Sequence, residues 1–125
     1  MATTRVLVVL SSALEAATGI ALIADPDLVA RVLLGVGITG GGIVVGRVGG
    51  FALISLGLAC WPRANDAGAQ AIWALLTYNL LAALYLGYLR VGGSFVGYLL
   101  WPAFALHALL AVLLTRPALR VGRSS

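Results

Sequence analysis

Residues 6–24 read VLVVLSSALEAATGIALIA, and Asp25-Pro26-Asp27 closes the run. A helix needs about 20 predominantly apolar residues to cross the hydrocarbon core of a bilayer. This stretch meets that length with a single charge, Glu15. A charged start followed by an apolar run also opens a secretory signal peptide, but Glu15 falls where the cleavage region would be and nine further residues follow before Asp25. The segment therefore reads as a retained transmembrane helix.

The rest of the chain repeats the pattern. Of its 125 residues 62% are hydrophobic and 10% charged, against about 25% charged in soluble domains, and the mean hydropathy is +1.07. Too little polar surface exists to face water, and disorder is excluded because disordered chains are rich in charge and poor in apolar residues. Further spans are expected at about residues 41–61, 69–89 and 95–115. Pro62 to Gly68 and Val91-Gly92-Gly93-Ser94 would be tight turns, Arg116-Pro117 a stop, and residues 116–125 a frayed tail. Asp25 can cap a helix, Pro26 suits its first position and Asp27 favours its positive end. Residues 26–34 are too few to span; Val29, Val32 and Leu33, with Val36 just beyond, fall on one face, and Asp27 and Arg31 stand four apart for an ion pair on another. The expected architecture is all-α: a single polytopic membrane domain, 1–125, built as an antiparallel four-helix transmembrane bundle with a short interfacial helix between spans 1 and 2.

Charge sets the expected orientation. Arg5, Arg63, Arg116, Arg120 and Arg123 fall on one side, and Arg31 and Arg90 on the other with Asp25 and Asp27. Basic residues in short loops stay inside, which puts both termini in the cytoplasm. Trp61 and Trp73 then belong to one interfacial belt, Tyr98 and Trp101 to the other. The net charge of +4 carries no basic stripe interleaved with aromatics, so nucleic acid is not a partner. Cys60 is the single cysteine, which excludes an internal disulfide and a thiol-rich metal site.

Eight of the sixteen residues from Gly35 to Gly50 are glycine. Gly35, Gly37 and Gly40 match GxGxxG formally, but no strand precedes them and no acid follows at the spacing a dinucleotide site requires. Gly42, Gly46 and Gly50, four apart, make a helix-packing face that lets two membrane helices approach closely.

Glu15, Arg47, Tyr78, Asn79 and His107 lie inside apolar runs and draw on all four spans. A charge at mid-bilayer costs about 2.5–3.5 kcal/mol on insertion scales, so such residues are paired or functional. At about 1.5 Å per residue, Glu15 lies about 14 Å below the Ala24 end, Arg47 about 9 Å, Asn79 about 17 Å and His107 about 18 Å. The depths allow a Glu15–Arg47 ion pair and an Asn79–His107 contact in one polar layer. That layer is either a register-fixing device or the floor of a pocket for a headgroup, quinone, substrate or proton. Ser11, Ser12 and Thr18 can hydrogen-bond beside Glu15. His107 alone makes neither a bis-His haem site nor a metal site, and no nucleophile–base spacing occurs. Pro102 is expected to free the Tyr98 carbonyl and kink the fourth span.

Leu14-Glu15 with Gly19, Gly46-Arg47-Val48-Gly49-Gly50 leading to Leu56-Gly57-Leu58, Tyr78-Asn79, and Leu100-Trp101-Pro102 with His107 resemble small four-helix bacterial inner-membrane proteins of the DoxX-like kind. The resemblance implies an inner-membrane location and association with redox or quinone-associated complexes; it assigns no activity. Three classes of function follow, in order: a non-catalytic accessory or assembly subunit, a binder of a lipophilic small molecule such as a quinone or lipid, and an oligomeric transporter or channel assembled through the glycine face. The partners expected are the lipid bilayer and a homo-oligomer or membrane-complex subunit, and no cofactor is assigned.

Overall fold

The computed structural model describes residues 2–63 and 68–123, and the five elements formed over them are all α-helices. Helix α1 spans Ala2–Ala24, α2 Pro26–Leu34, α3 Gly41–Cys60, α4 Ala69–Val91 and α5 Leu100–Gly122. Helices α1, α3, α4 and α5 are long and apolar enough to cross a membrane, with mean hydropathies of 1.5 to 2.1 over their most apolar 18 residues. The chain is an integral, multi-pass membrane protein whose apolar flanks face lipid. Ala64–Ala67, most of the turn expected between the second and third spans, lie outside the described residues, as do Ser124 and Ser125 of the tail.

The bundle is assembled from two tight helix pairs, α1 with α3 and α4 with α5, joined by a lighter seam. In lipid no hydrophobic drive brings helices together, so close backbone approach has to supply the attraction. At the α1–α3 contact a Cβ on Gly19 would stand 2.6 Å from the Gly50 carbonyl oxygen, and one on Gly50 2.6 Å from that of Gly19. Gly57 meets the Ser12 carbonyl in the same way. The glycine face therefore differs from expectation. Gly50 packs on α1, Gly46 against Pro26 of α2, and Gly42 against Ile38 just before its own helix. The stripe is occupied within the chain and gives no support to oligomerisation.

Toward the end that carries the chain termini, Val8, Cys60, Ile72, Leu75, Leu114 and Ala118 form the apolar core. The opposite end is closed by α2. Asp25 accepts a hydrogen bond from the Leu28 N–H at 2.9 Å, and Gly35 takes the left-handed conformation (φ 78°) that ends the helix. The loop before α5 supplies the remaining partners: the Val96 N–H donates to the Leu34 carbonyl (3.1 Å) and the Leu99 N–H to that of Val32 (2.9 Å). Gly97 lies so close to Leu33 that a Cβ there would overlap the Leu33 carbonyl.

This docking explains why the fourth span starts at Leu100 and not at Phe95: the Val96 and Leu99 amides are spent on α2. Pro102 is consequently the third residue of α5, where the N–H has no intrahelical partner to lose, and the kink expected there does not arise. At the other end the expected stop at Arg116-Pro117 is overridden, and α5 continues to Gly122. Pro117 forfeits one backbone bond, but Ala118 is fully buried and Val121 packs on the core. Packing of this kind lets membrane helices pass through proline. The first and third spans are also longer than expected, starting at Ala2 and ending at Val91, because the helix carries Arg5 and Arg90 out to the interface.

Candidate functional site

Helix α1 buries Val8, Ser11, Ser12, Glu15 and Gly19. These positions follow the i, i+3, i+4, i+7 rhythm of one helix face, and the face is unusual in burying its most polar residues. Helix α4 answers with Ile72, Leu75, Asn79 and Ala83. Ser11 and Asn79 therefore meet at the seam between the two pairs, with His107 arriving from α5.

Asn79 organises the layer. Its Nδ2 donates to Ser11 Oγ at 3.0 Å and to the Leu75 carbonyl at 2.8 Å. With both amide hydrogens used, Oδ1 is left as an acceptor for His107 Nδ1 at 2.8 Å. The imidazole thus donates from Nδ1 and leaves Nε2 for another partner. Tyr78, one residue before Asn79, sets its ring edge-on to His107 at 5.8 Å between centroids. Its hydroxyl neighbours the Glu15 carboxylate without completing a hydrogen bond to it: neither Glu15 oxygen has a partner, nor has Ser12 Oγ. Glu15 is 1% exposed and Asn79 fully buried, while Tyr78 and His107 are half-buried and form the open edge.

Four of the five residues singled out in sequence are thus brought together, and Arg47 is not. It is exposed on α3, and the ion pair recorded among the described residues is Asp27–Arg31 at 2.7 Å. The expected Glu15–Arg47 pair is absent for a geometric reason. Depth arithmetic places residues along the membrane normal and says nothing of rotation. Gly46, Gly50 and Gly57 point inward, and Arg47 lies about 60–100° round the helix from them. Ser12, which the sequence offered only as a neighbour of Glu15, is fully buried, and Cys60 is a buried member of the apolar core. The position of Ser12, four residues before Ala16 on the glycine-facing side of Glu15, was the available signal.

Among the described residues no three of His, Cys, Asp and Glu gather as a metal site requires. The layer can donate and accept hydrogen bonds in a medium without water, through Tyr78 Oη, His107 Nε2 and the Glu15 carboxyl group. No protein-family model, curated protein or solved structure matches the chain.

Proposed function

We propose that this integral membrane protein binds a lipophilic small molecule whose hydrogen-bonding head reaches mid-membrane, as a quinone's can. The observation that carries the proposal is Glu15: a carboxyl group buried at 1% exposure with neither oxygen partnered, beside the half-buried Tyr78 and His107. A purely structural layer would satisfy its most expensive member, because an unpaired buried polar group costs several kcal/mol in an apolar medium, about 2–7 by transfer. Glu15 lies about 14 Å from the Ala24 end of α1. The head of a phospholipid stays at the interface, so a ligand with a small, deeply seated polar head fits this depth better.

The oligomeric channel drew on a free glycine face, and Gly50 and Gly46 of that face pack within the chain, so it is weaker for it. The DoxX-like resemblance supports a bacterial inner-membrane setting with redox association, and five arginines at one end against two at the other support cytoplasmic termini. Both belong to the proposal.

Native mass spectrometry of the protein released from mild detergent tests it. The parent is expected to retain a lipophilic species beyond bulk lipid, and His107→Ala and Glu15→Gln to lose it while staying folded. Parent protein that carries no such species would sink the proposal.

A further inference from the structure

The outward face of the α4–α5 pair carries an apolar groove of about 320 Å³ bordered by Trp73, Leu76, Leu80, Val112, Thr115 and Leu119. It runs on, through Leu80, Ala111 and Val112, into a second hollow that reaches Ala108 and Phe104. From Leu119 to Ala108 is about 16 Å of helix, close to half of a hydrocarbon core about 30 Å thick. The groove therefore has the length of one leaflet's acyl chain.

Its mouth is basic. The uninterrupted course of α5 past Pro117 carries Arg116, Arg120 and Arg123 on successive turns. Arg116 and Arg123 stand three residues before and four after Leu119, a spacing that puts both beside that edge of the groove without lining it, and both are exposed. Trp73 reaches the last turn of α5, where a Cβ on Gly122 would sit 3.6 Å from its ring. No acidic side chain is within ion-pair distance of Arg116 or Arg123 among the described residues. The α5 C-terminus contributes partial negative charge of its own, so the arginines, not the helix end, would attract an anion.

We infer that this groove seats an anionic phospholipid, with one acyl chain along Leu119 to Ala108 and the phosphate against Arg116 and Arg123. Basic clusters beside membrane helices recognise such headgroups, and each arginine near the surface contributes enough to change affinity roughly fivefold. The seat is separate from the Glu15 layer, which lies on the inner seam.

The test is native mass spectrometry with phosphatidylglycerol and phosphatidylcholine of identical acyl chains, supplied in equal amounts. The parent is expected to retain phosphatidylglycerol over phosphatidylcholine by roughly tenfold or more. Arg116→Gln with Arg123→Gln should abolish that preference, and Arg116→Lys with Arg123→Lys should keep it. Val112→Trp, a change at a lipid-facing position 70% exposed, should fill the groove and reduce retention of phosphatidylglycerol. Equal retention of both lipids by the parent overturns the inference, as does a preference that survives the double glutamine variant. Undiminished retention in Val112→Trp overturns the groove as the seat of the chain. Arg90→Gln, at the opposite end, should leave the preference unchanged, and a loss there would also count against the site.

Discussion

Asn79 and Glu15 share one layer and have opposite energetic roles. Asn79 spends every hydrogen-bonding atom of its amide on Ser11, Leu75 and His107, so Asn79→Leu leaves Ser11 and His107 unpartnered inside the bundle. Interhelical hydrogen bonds in membranes contribute about 0.6 kcal/mol on average and up to about 1.7. The substitution should therefore cost about 1–2 kcal/mol in a reversible unfolding assay in mixed micelles. Glu15 completes no hydrogen bond, having only the Tyr78 hydroxyl nearby. Glu15→Gln is expected to leave stability unchanged or raise it, as replacement of groups held for function commonly does. A loss as large as that of Asn79→Leu would show that the carboxyl group holds the fold together. Arg47 is exposed on a membrane span, where a charge is costly, so Arg47→Ala should leave stability unchanged or raise it, and Arg47→Ala and Glu15→Gln should be additive because the two side chains share no contact. The polar types and their depths were legible in the sequence. The rotation that separates Arg47 from Glu15 was not, since it depends on which face of α3 its glycines take.

The α1–α3 pair is held by backbone approach, and neighbouring glycines on α3 differ sharply in consequence. A Cβ on Gly50 meets a carbonyl oxygen and the Ile23 and Leu22 side chains, whereas a Cβ on Gly49 meets nothing within 4 Å. Gly50→Ala should push the pair apart and cost about 1–3 kcal/mol, the usual range for overpacking. Gly49→Ala should be neutral or stabilising by up to about 1 kcal/mol, from helix propensity alone. Thermal denaturation of the two variants side by side is the check, and equal losses would contradict the seam. Spacing by fours identified α3 as a close-packing helix. It could not tell that Gly57, seven residues beyond Gly50, completes the contact, because the partner surface on α1 is set by Ser12 and Ala16.

At the scale of the molecule, the α2 cap ties the two helix pairs together at one end. Asp27 is its centre: Oδ2 accepts from Arg31 Nε at 2.7 Å and Oδ1 from the Ile38 N–H at 2.7 Å. The Arg31 guanidinium, followed by the Ile38 amide, holds the Asp27 carboxyl below the usual carboxylate range. The ordinary value is about 3.9, and a lowered folded value means the stabilisation is complete above that pH and is lost as pH falls below it. Hydrogen exchange at the Ile38 amide should therefore be slow from neutral pH down to about 4 and lose protection below it. Asp27→Asn should show weak protection at every pH, and an amide in the parent indifferent to acid would contradict the cap's dependence on the carboxylate. The four spans, the short capping helix and the membrane itself were readable from sequence alone, because hydropathy over some 20 residues and the Asp-Pro-Asp cap are local properties that any partner leaves unchanged. The tertiary structure decided where α5 begins and ends, which glycines touch, and which polar residues meet. Those outcomes turn on contacts between residues distant in the chain: Val96 and Leu99 bonded to α2, Ala118 packed past Pro117, and Asn79 placed between Ser11 and His107.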